Sequence, residues 1–126
     1  MPTARDMTAE DMAAYRAGAR ERAEREREAL LLREKRAWDL AREAAALLRD
    51  RFQASRVVVF GSLVHAGSFT QWSDVDIAAW GLRPEDTLGA LGAVMDLSAE
   101  IQLSLLDVST CRASLLEVIE REGVAL

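Results

Sequence analysis

The first part of the chain has a pattern of apolar and polar positions that is typical of a long helix. Residues 8–52 contain no proline and one glycine, Gly18, and consist mostly of Ala, Glu, Arg, Leu and Lys, which favour helix. After residue 30, apolar side chains recur at spacings of three, four and seven, which predicts a face that packs on a core. These positions are Leu31, Trp38, Ala41, Ala45, Leu48 and Phe52. We predict one long helix, or two helices nearly end to end.

Residues 16–28 of this helical region lack large apolar side chains and alternate between Arg, Glu, Ala and Gly. One interpretation is a solvated helix that is stabilised by Glu and Arg pairs four residues apart. The other is an arm that docks on another chain through Met12, Tyr15, Ala19 and Ala23. The sequence leaves both interpretations open.

After residue 55 the pattern changes from helical spacing to short strands and turns. Residues 56–60 form a β-branched run that ends at Gly61, and residues 74–80 form a second run that ends at Gly81. Both runs are typical of strands. The stretch between them is rich in Gly, Ser and Thr, which predicts a turn region.

The remainder of the chain predicts a helix, a strand and a second helix. Pro84 suits a first helical turn, and apolar residues follow it at helical spacing to about residue 98. Residues 101–106 predict a third strand, and residues 111–122 predict a last helix that ends at Gly123 as a C-cap. The order of elements is that of an α/β domain over residues 55–126, preceded by a helical arm over residues 1–54.

Length and composition fit one globular domain. Half of the 126 residues are apolar and 29% are charged, which excludes a collagen-like, low-complexity or wholly disordered chain. No apolar run is long enough for a membrane span, and the N-terminus lacks the apolar stretch of a secretory signal, so we expect a cytoplasmic protein. The single cysteine, Cys111, agrees with a reducing compartment.

Charge is unevenly distributed along the chain. Residues 1–56 carry 13 basic and 11 acidic side chains, a net charge of +2, whereas residues 57–126 carry 3 basic and 10 acidic side chains, a net charge of −7. We therefore expect no direct binding of duplex nucleic acid by the second half. Concentrated carboxylates are better suited to divalent cations.

Two short motifs carry the candidate chemistry. Phe60-Gly61-Ser62 ends the first predicted strand, and Asp74-Val75-Asp76 opens the second. Side chains two residues apart on a strand point to the same face, so Asp74 and Asp76 present their carboxylates side by side. Such a pair repels unless a cation lies between its members, and Mg²⁺ is commonly held by carboxylates together with substrate phosphates. The pair predicts a magnesium site, although an Asp-x-Asp on an edge strand also occurs as a solubility device.

Gly61 and Ser62 predict a bend that binds phosphate. Glycine lets the backbone turn sharply and approach a ligand, and the N–H groups and hydroxyl that follow can hold phosphate oxygens. The two motifs together predict a site for a nucleoside triphosphate, with the carboxylates and Mg²⁺ at the α-phosphate.

This arrangement resembles the minimal nucleotidyltransferase family of the polymerase-β-like superfamily, whose signature is Gly-Ser, a gap, and then Asp-x-Asp. The resemblance covers residues 56–126. It implies a small mixed β-sheet flanked by helices, ATP held by Gly61 and Ser62, and Mg²⁺ held by Asp74 and Asp76. It also implies transfer of a nucleoside monophosphate, usually AMP, to an acceptor hydroxyl with release of pyrophosphate.

The sequence departs from the family pattern at a third carboxylate, which active members carry on a neighbouring strand and which helps to activate the acceptor. The corresponding strand here is 101–106, and the residues that face the site are one of two alternating sets, Ile101, Leu103 and Leu105 or Gln102 and Ser104. None is acidic. Glu100 and Asp107 flank the strand, and either would need a bend or bulge to reach the site. Without a third acid, we expect nucleotide binding more firmly than catalysis.

Three further side chains near the motifs have alternative interpretations. Active members often carry Arg or Lys after the serine to neutralise phosphate charge, and His65 is the only candidate for that role here, although we favour an ordinary position in a surface loop for it. Trp72 and Trp80 lie on either side of the Asp pair in sequence and could stack on a base, but we favour packing for both.

The resemblance also implies a protein partner. Small members of the family are commonly paired with a HEPN-type ribonuclease toxin and act as its antitoxin, either by attaching AMP to it or by covering it. One hypothesis is therefore a Mg²⁺-dependent enzyme that adenylylates a partner protein. The alternative is a degenerate binding module that neutralises its partner by contact, with the helical arm as part of the interface. The arm could also join two copies of the chain.

Overall fold

The computed structural model of the protein describes residues 8–126. One 44-residue helix, α1 (Ala9–Phe52), occupies the first part of the chain, as the absence of proline predicts. Two reciprocal hydrogen bonds cap its start: the Thr8 N–H donates to a carboxylate oxygen of Asp11 at 3.1 Å, and the Asp11 N–H donates to the Thr8 hydroxyl at 3.1 Å. The chain divides into a first compact unit that ends at Leu32 and a second, Arg33–Leu126, so the predicted boundary after residue 54 lies inside the second unit.

In the first unit, the described part of α1 exposes most of its side chains. Tyr15 is 66% exposed and Met12 is 45% exposed, while Ala19 and Ala23 are partly buried. The solvated-helix and docking interpretations of this segment both stay predictions.

In the second unit, the C-terminal part of α1 packs on the sheet. Its buried residues are Ala37, Leu40, Ala41, Ala44, Ala45 and Leu48. On an ideal helix, Leu31 and Trp38 lie roughly 90–110° from the centre of this buried face, whereas Phe52 lies roughly 50° from it and packs on the core. The prediction that Leu31 belongs to the core face is therefore wrong, and its side chain is 66% exposed.

Four strands form one mixed sheet with the spatial order β3-β2-β1-β4. They are β1 (Arg56–Phe60), β2 (Val75–Trp80), β3 (Leu103–Asp107) and β4 (Val124–Ala125). β1 pairs antiparallel with β2 and with β4, and β2 pairs parallel with β3. The parallel pair requires a crossover, which contains helix α2 (Thr87–Met95), and helix α3 (Ala113–Glu122) connects β3 to β4. The predicted α/β fold, with a small mixed sheet, flanking helices and a long N-terminal helix, is confirmed.

Both faces of the sheet are covered, so alternate strand residues enter two separate cores. One core joins α1 and α2 to the face that carries Val57, Val59, Val75, Ile77, Ala79, Leu103 and Leu105. The other joins Ile119 of α3 to the face that carries Val58, Phe60, Ala78, Trp80 and Leu106. Asp76 belongs to the second face, because it is two residues from Ala78 along β2.

Gly123 ends α3 as predicted, but for a different reason. Its φ of −67° is not the left-handed conformation that favours glycine in a C-cap. A Cβ at this position would collide with the Val58 side chain and would lie 2.5 Å from the Ile119 carbonyl oxygen. Gly123 therefore permits close packing where the chain passes from α3 into β4, a two-residue strand that is too short to predict from alternation.

No helix among residues 8–126 has both the length and the apolar character that a membrane span requires.

Candidate functional site

The Gly61-Ser62 bend and the Asp pair lie at the same end of the sheet. In the antiparallel pair of β1 and β2, Phe60 is the partner of Asp76. Gly61 and Ser62 follow Phe60 directly and form the start of a 3₁₀ turn, Gly61–Val64. The register of two neighbouring strands therefore brings together motifs that are separated in the sequence.

Gly61 is the residue at which the bend comes closest to the carboxylate of Asp76. Its φ is +79°, in the left-handed region that side chains other than glycine rarely adopt. A Cβ at this position would lie 2.5 Å from Oδ2 and 3.4 Å from the carboxyl carbon of Asp76. Since the first distance is shorter than van der Waals contact allows, the absence of a side chain at residue 61 leaves the space that the Asp76 carboxylate occupies.

The two carboxylates are electrostatically coupled. Asp74 is exposed just before β2, and Asp76 is half-buried within it. Burial raises the pKa of Asp76 above its ordinary value of 3.8, and the negative charge of Asp74 raises it further. The charged form of Asp76 is thus disfavoured by its surroundings, and a cation between the two carboxylates would relieve both effects.

The donor set at this position fits Mg²⁺ bound together with a phosphate ligand. Two carboxylates supply hard oxygen atoms, and Mg²⁺ is usually held by one or two carboxylates, with water and substrate phosphates completing its six ligands. Within residues 8–126 there is no group of three or more His, Cys, Asp or Glu side chains placed to hold a metal ion.

The strand beside β2 presents a hydroxyl where the family resemblance leads us to expect a carboxylate. Parallel pairing of β2 and β3 makes Ser104 the partner of Asp76, so both side chains are on the α3 side of the sheet. Of the two alternating sets proposed from the sequence, the set with Gln102 and Ser104 therefore lies beside the Asp pair. Ser104 can donate or accept a hydrogen bond, but it adds no negative charge.

Neither flanking acid of β3 takes the place of the third carboxylate. Asp107 pairs with Ala79, which puts it on the opposite face and about 10 Å along the strand from Ser104. Its carboxylate accepts hydrogen bonds from the Ser109 N–H at 3.0 Å, the Ser109 hydroxyl at 2.8 Å and the Thr87 hydroxyl at 3.0 Å. Glu100 lies exposed in the bend before β3.

The surroundings of Asp107 indicate a structural role. The residue is only 7% exposed. Burial acts to raise the pKa of Asp107, but the hydrogen bonds from Ser109 and Thr87 outweigh it and hold the pKa below its ordinary value. Asp107 therefore connects the end of β3 to the start of α2 as a charged hydrogen-bond acceptor.

His65 contacts an acidic residue that the sequence analysis did not consider. Its Nε2 atom lies 3.3 Å from Oε2 of Glu122, the last residue of α3. The pair connects α3 to the segment that directly follows the Gly61–Val64 turn. No local pattern marks Glu122, because its approach to His65 depends on how α3 packs on the sheet.

Arg33 is a second residue that the sequence analysis missed. It extends from α1 and donates hydrogen bonds to the carbonyl oxygen of Ser73 at 3.2 Å and to that of Glu100 at 3.5 Å. Its guanidinium carbon lies 5.8 Å from the centre of the Phe69 ring. Arg33 thereby ties together the segments that enter β2 and β3. The sequence does contain a signal for this role, because Arg33 is a charged residue on the side of α1 that faces the core.

The two tryptophans near the Asp pair differ in environment. Trp80 packs against the second core, and the Arg56 guanidinium lies 4.2 Å from the centre of its ring. The packing interpretation therefore holds for Trp80. It is wrong for Trp72, whose side chain is 82% exposed, because Trp72 lies in a surface turn rather than in a strand.

A mixed sheet with a Gly-Ser bend after one strand and Asp-x-Asp on the antiparallel neighbour defines the nucleotidyltransferase type of fold, and the protein has this fold. One similar solved structure is a mutant of the toxin–antitoxin pair MntA–HpeT, with 22% identity, a TM-score of 0.55, and coverage of 68% of this chain and 69% of that chain. Another is a proposed nucleotidyltransferase from Sulfolobus solfataricus, with 19% identity, a TM-score of 0.51, and coverage of 76% and 84%.

These similarities confirm, at the level of the fold, the resemblance to minimal nucleotidyltransferases that the motifs indicate. The sequence itself matches no protein-family model and no curated protein.

Proposed function

We propose that the protein is a Mg²⁺-dependent nucleotidyltransferase that transfers a nucleoside monophosphate, AMP from ATP, to a partner protein. The observation that carries this proposal is the approach of Gly61 to Asp76, where a Cβ would lie 2.5 Å from the carboxylate oxygen. It supports a single site in which a phosphate-binding bend lies directly beside a carboxylate pair.

Each residue of the site has a role in this reaction. The backbone N–H groups at the bend and the Ser62 hydroxyl would bind the phosphate oxygens of the triphosphate. Asp74 and Asp76 would hold Mg²⁺, which when bound stabilises the charge that develops on the phosphates. The acceptor oxygen would form a bond to the α-phosphorus as the bond to the leaving pyrophosphate breaks. Because Ser104 is a poor base, the acceptor proton would pass to water.

A protein acceptor is supported by the similarity to a member of a toxin–antitoxin pair. We propose that this protein is the antitoxin of such a pair, that its partner is a HEPN-type toxin, and that the partner supplies the acceptor hydroxyl. The exposed apolar side chains of α1, Met12 and Tyr15, offer a surface for such a partner.

One observation favours a second candidate function, a binding module without catalysis. Ser104 is the register partner of Asp76, so the position that would carry the third acid is neutral. A site of this kind could bind Mg²⁺ and a nucleotide while the protein neutralises its partner by contact alone.

Labelled ATP separates the two candidate functions. The protein would be incubated with Mg²⁺, ATP labelled at the α-phosphate, and the product of the adjacent gene. Enzymatic function predicts label on the partner, and no label with the variant Asp74→Ala plus Asp76→Ala. Label that persists with this double variant contradicts the assignment of the site. Partner binding without any label supports the binding module.

Ser104→Asp is expected to strengthen Mg²⁺ binding by on the order of tenfold, because it adds a third carboxylate beside Asp76 and affinity rises with the number of charged ligands. The same change should increase label transfer if the missing acid limits catalysis. Calorimetric titration with Mg²⁺ in the presence of ATP measures the first effect. Ser104→Asn, which adds a similar volume without charge, is the control, and an equal effect of Asn would contradict the explanation.

A further inference from the structure

Trp72 is a large aromatic side chain that the fold leaves 82% exposed. It lies in the connection between the Gly61–Val64 turn and β2, two residues before Asp74. Burial of a tryptophan is strongly favourable, yet Trp72 is not part of either hydrophobic core. An exposed tryptophan at this position therefore requires a separate explanation.

The turn that carries Trp72 is held by a set of hydrogen bonds between residues 70 and 73. The Thr70 N–H donates to the Ser73 hydroxyl at 2.9 Å, and the two hydroxyl groups of Thr70 and Ser73 lie 3.1 Å apart. The Trp72 N–H donates to the Thr70 hydroxyl at 3.1 Å, and the Ser73 N–H donates to the Thr70 carbonyl oxygen at 3.1 Å. The backbone on both sides of Trp72 is thus fixed.

Contacts with the core anchor this turn at both ends. Phe69 precedes it and is buried in the larger core. Ser73 ends it and accepts a hydrogen bond from Arg33, whose guanidinium also lies over the Phe69 ring. The protein therefore presents an exposed indole ring from a hydrogen-bonded turn, so less backbone entropy is lost when the ring binds a ligand.

We propose that Trp72 binds the base of the nucleotide by stacking. This inference rests on the proposed function, since it takes the α-phosphate to lie at Asp74 and Asp76. Two residues of extended chain span at most about 7 Å, so the indole is within reach of a base attached through the ribose to that phosphate. Stacking suits any base, and a purine offers the larger face.

The surroundings of Trp72 favour a base over a protein partner as the occupant. Protein–protein anchors usually lie within a larger apolar patch. The neighbours of Trp72 are instead polar: Thr70 and Gln71 are exposed, and Ser73 is partly buried. A single flat ring among polar groups, two residues from a predicted metal ligand, is suited to stacking with a nucleobase.

The test compares a ligand that carries a nucleoside with one that lacks it. Calorimetry would measure binding of Mg²⁺-ATP and of Mg²⁺-tripolyphosphate, which carries the phosphates alone, to the wild type and to Trp72→Ala. We expect Trp72→Ala to weaken binding of Mg²⁺-ATP by on the order of tenfold and to leave binding of Mg²⁺-tripolyphosphate unchanged. Trp72→Phe should retain most of the affinity, and Leu88→Ala, which removes a comparably exposed side chain on α2, should have no effect.

The outcomes distinguish this inference from the proposed function. If the wild type binds Mg²⁺-ATP and Trp72→Ala binds it equally well, stacking is overturned and the proposed function stands; this holds also if Trp72→Ala loses only the protein partner. Equal weakening of both ligands would show a structural role and would also overturn stacking. If the wild type binds neither ligand, both proposals fail. ATP-dependent quenching of tryptophan fluorescence that is lost in Trp72→Phe would support stacking independently.

Discussion

Asp76→Asn is expected to stabilise the protein in the absence of Mg²⁺ and to abolish Mg²⁺-dependent nucleotide binding. The carboxylate of Asp76 is half-buried and lies within the field of Asp74, and both effects disfavour its charge. Asparagine has nearly the same shape without the charge. Single stabilising substitutions commonly raise the free energy of unfolding by about 0.5–2 kcal/mol, and solvent screening of a half-buried group favours the lower end.

The stabilising effect of Asp76→Asn should depend on pH. Because the pKa of Asp76 is raised in the folded state, its protonated form adds stability that is fully present below the ordinary value of 3.8 and is lost as the pH rises through the folded pKa. The advantage of the variant over the wild type should therefore grow across that interval and stay constant above it. Urea unfolding at a series of pH values, with EDTA present, measures the difference. A variant that is less stable than the wild type at neutral pH would contradict the electrostatic explanation.

Asp107→Asn provides a control, because its expected effect on the free energy of unfolding is opposite to that of Asp76→Asn. The carboxylate of Asp107 is held by hydrogen bonds that lower its pKa, so its contribution is present above the ordinary value of 3.8 and is lost as the pH falls through the folded pKa. We expect this variant to lose about 1–3 kcal/mol at neutral pH, because the donors of Ser109 and Thr87 lose a charged acceptor. Mg²⁺ binding should be unchanged, since Asp107 is on the opposite face of the sheet.

The part of the site that could be predicted from the sequence is the part that depends on local features. Gly61 directly follows a recognisable strand, and the Asp pair lies at the start of another. The two motifs meet if the end of β1 pairs with the start of β2, as it does here. For β3 the sequence predicts two alternating sets of side chains, one for each face of the sheet, and Ser104 belongs to one of them. The sequence does not show which set faces the Asp pair, because the pairing with the neighbouring strand decides that. The structure identifies the set, because Ser104 is the partner of Asp76 in the pairing of β2 and β3.

Residues that depend on packing between elements were not predictable in the same way. Glu122 reaches His65 only because α3 crosses the sheet and leads into β4, which is too short to leave a pattern. Arg33 differs, since a charged residue on the buried side of α1 was visible in the sequence. The predicted apolar row does not point to Arg33, because the part of that row through Leu31 and Trp38 lies at the edge of the buried face and not at its centre.

Gly61→Ala is expected to lower the free energy of unfolding by about 2–4 kcal/mol and to abolish Mg²⁺-nucleotide binding, because two separate effects add. A left-handed φ of +79° costs a non-glycine residue roughly 1 kcal/mol. The new Cβ would also overlap Oδ2 of Asp76, and displacement of a partly buried side chain costs about 1–3 kcal/mol more. Denaturant unfolding and calorimetric titration with Mg²⁺-ATP measure the two consequences.

The chain offers a matched control that isolates the contact with Asp76. Gly67 has nearly the same φ, +78°, and a Cβ there would meet nothing within 4 Å. Gly67→Ala should therefore show the backbone cost alone. In the background of Asp76→Ala, the conflicting carboxylate is absent and the remaining Cβ would lie at an ordinary contact distance of 3.6 Å, so Gly61→Ala should become as mild as Gly67→Ala. That double-mutant cycle measures the interaction directly. If Gly61→Ala and Gly67→Ala cost the same in the wild-type background, the bend and the carboxylate do not meet, and the proposed phosphate and metal site would lose its geometric basis.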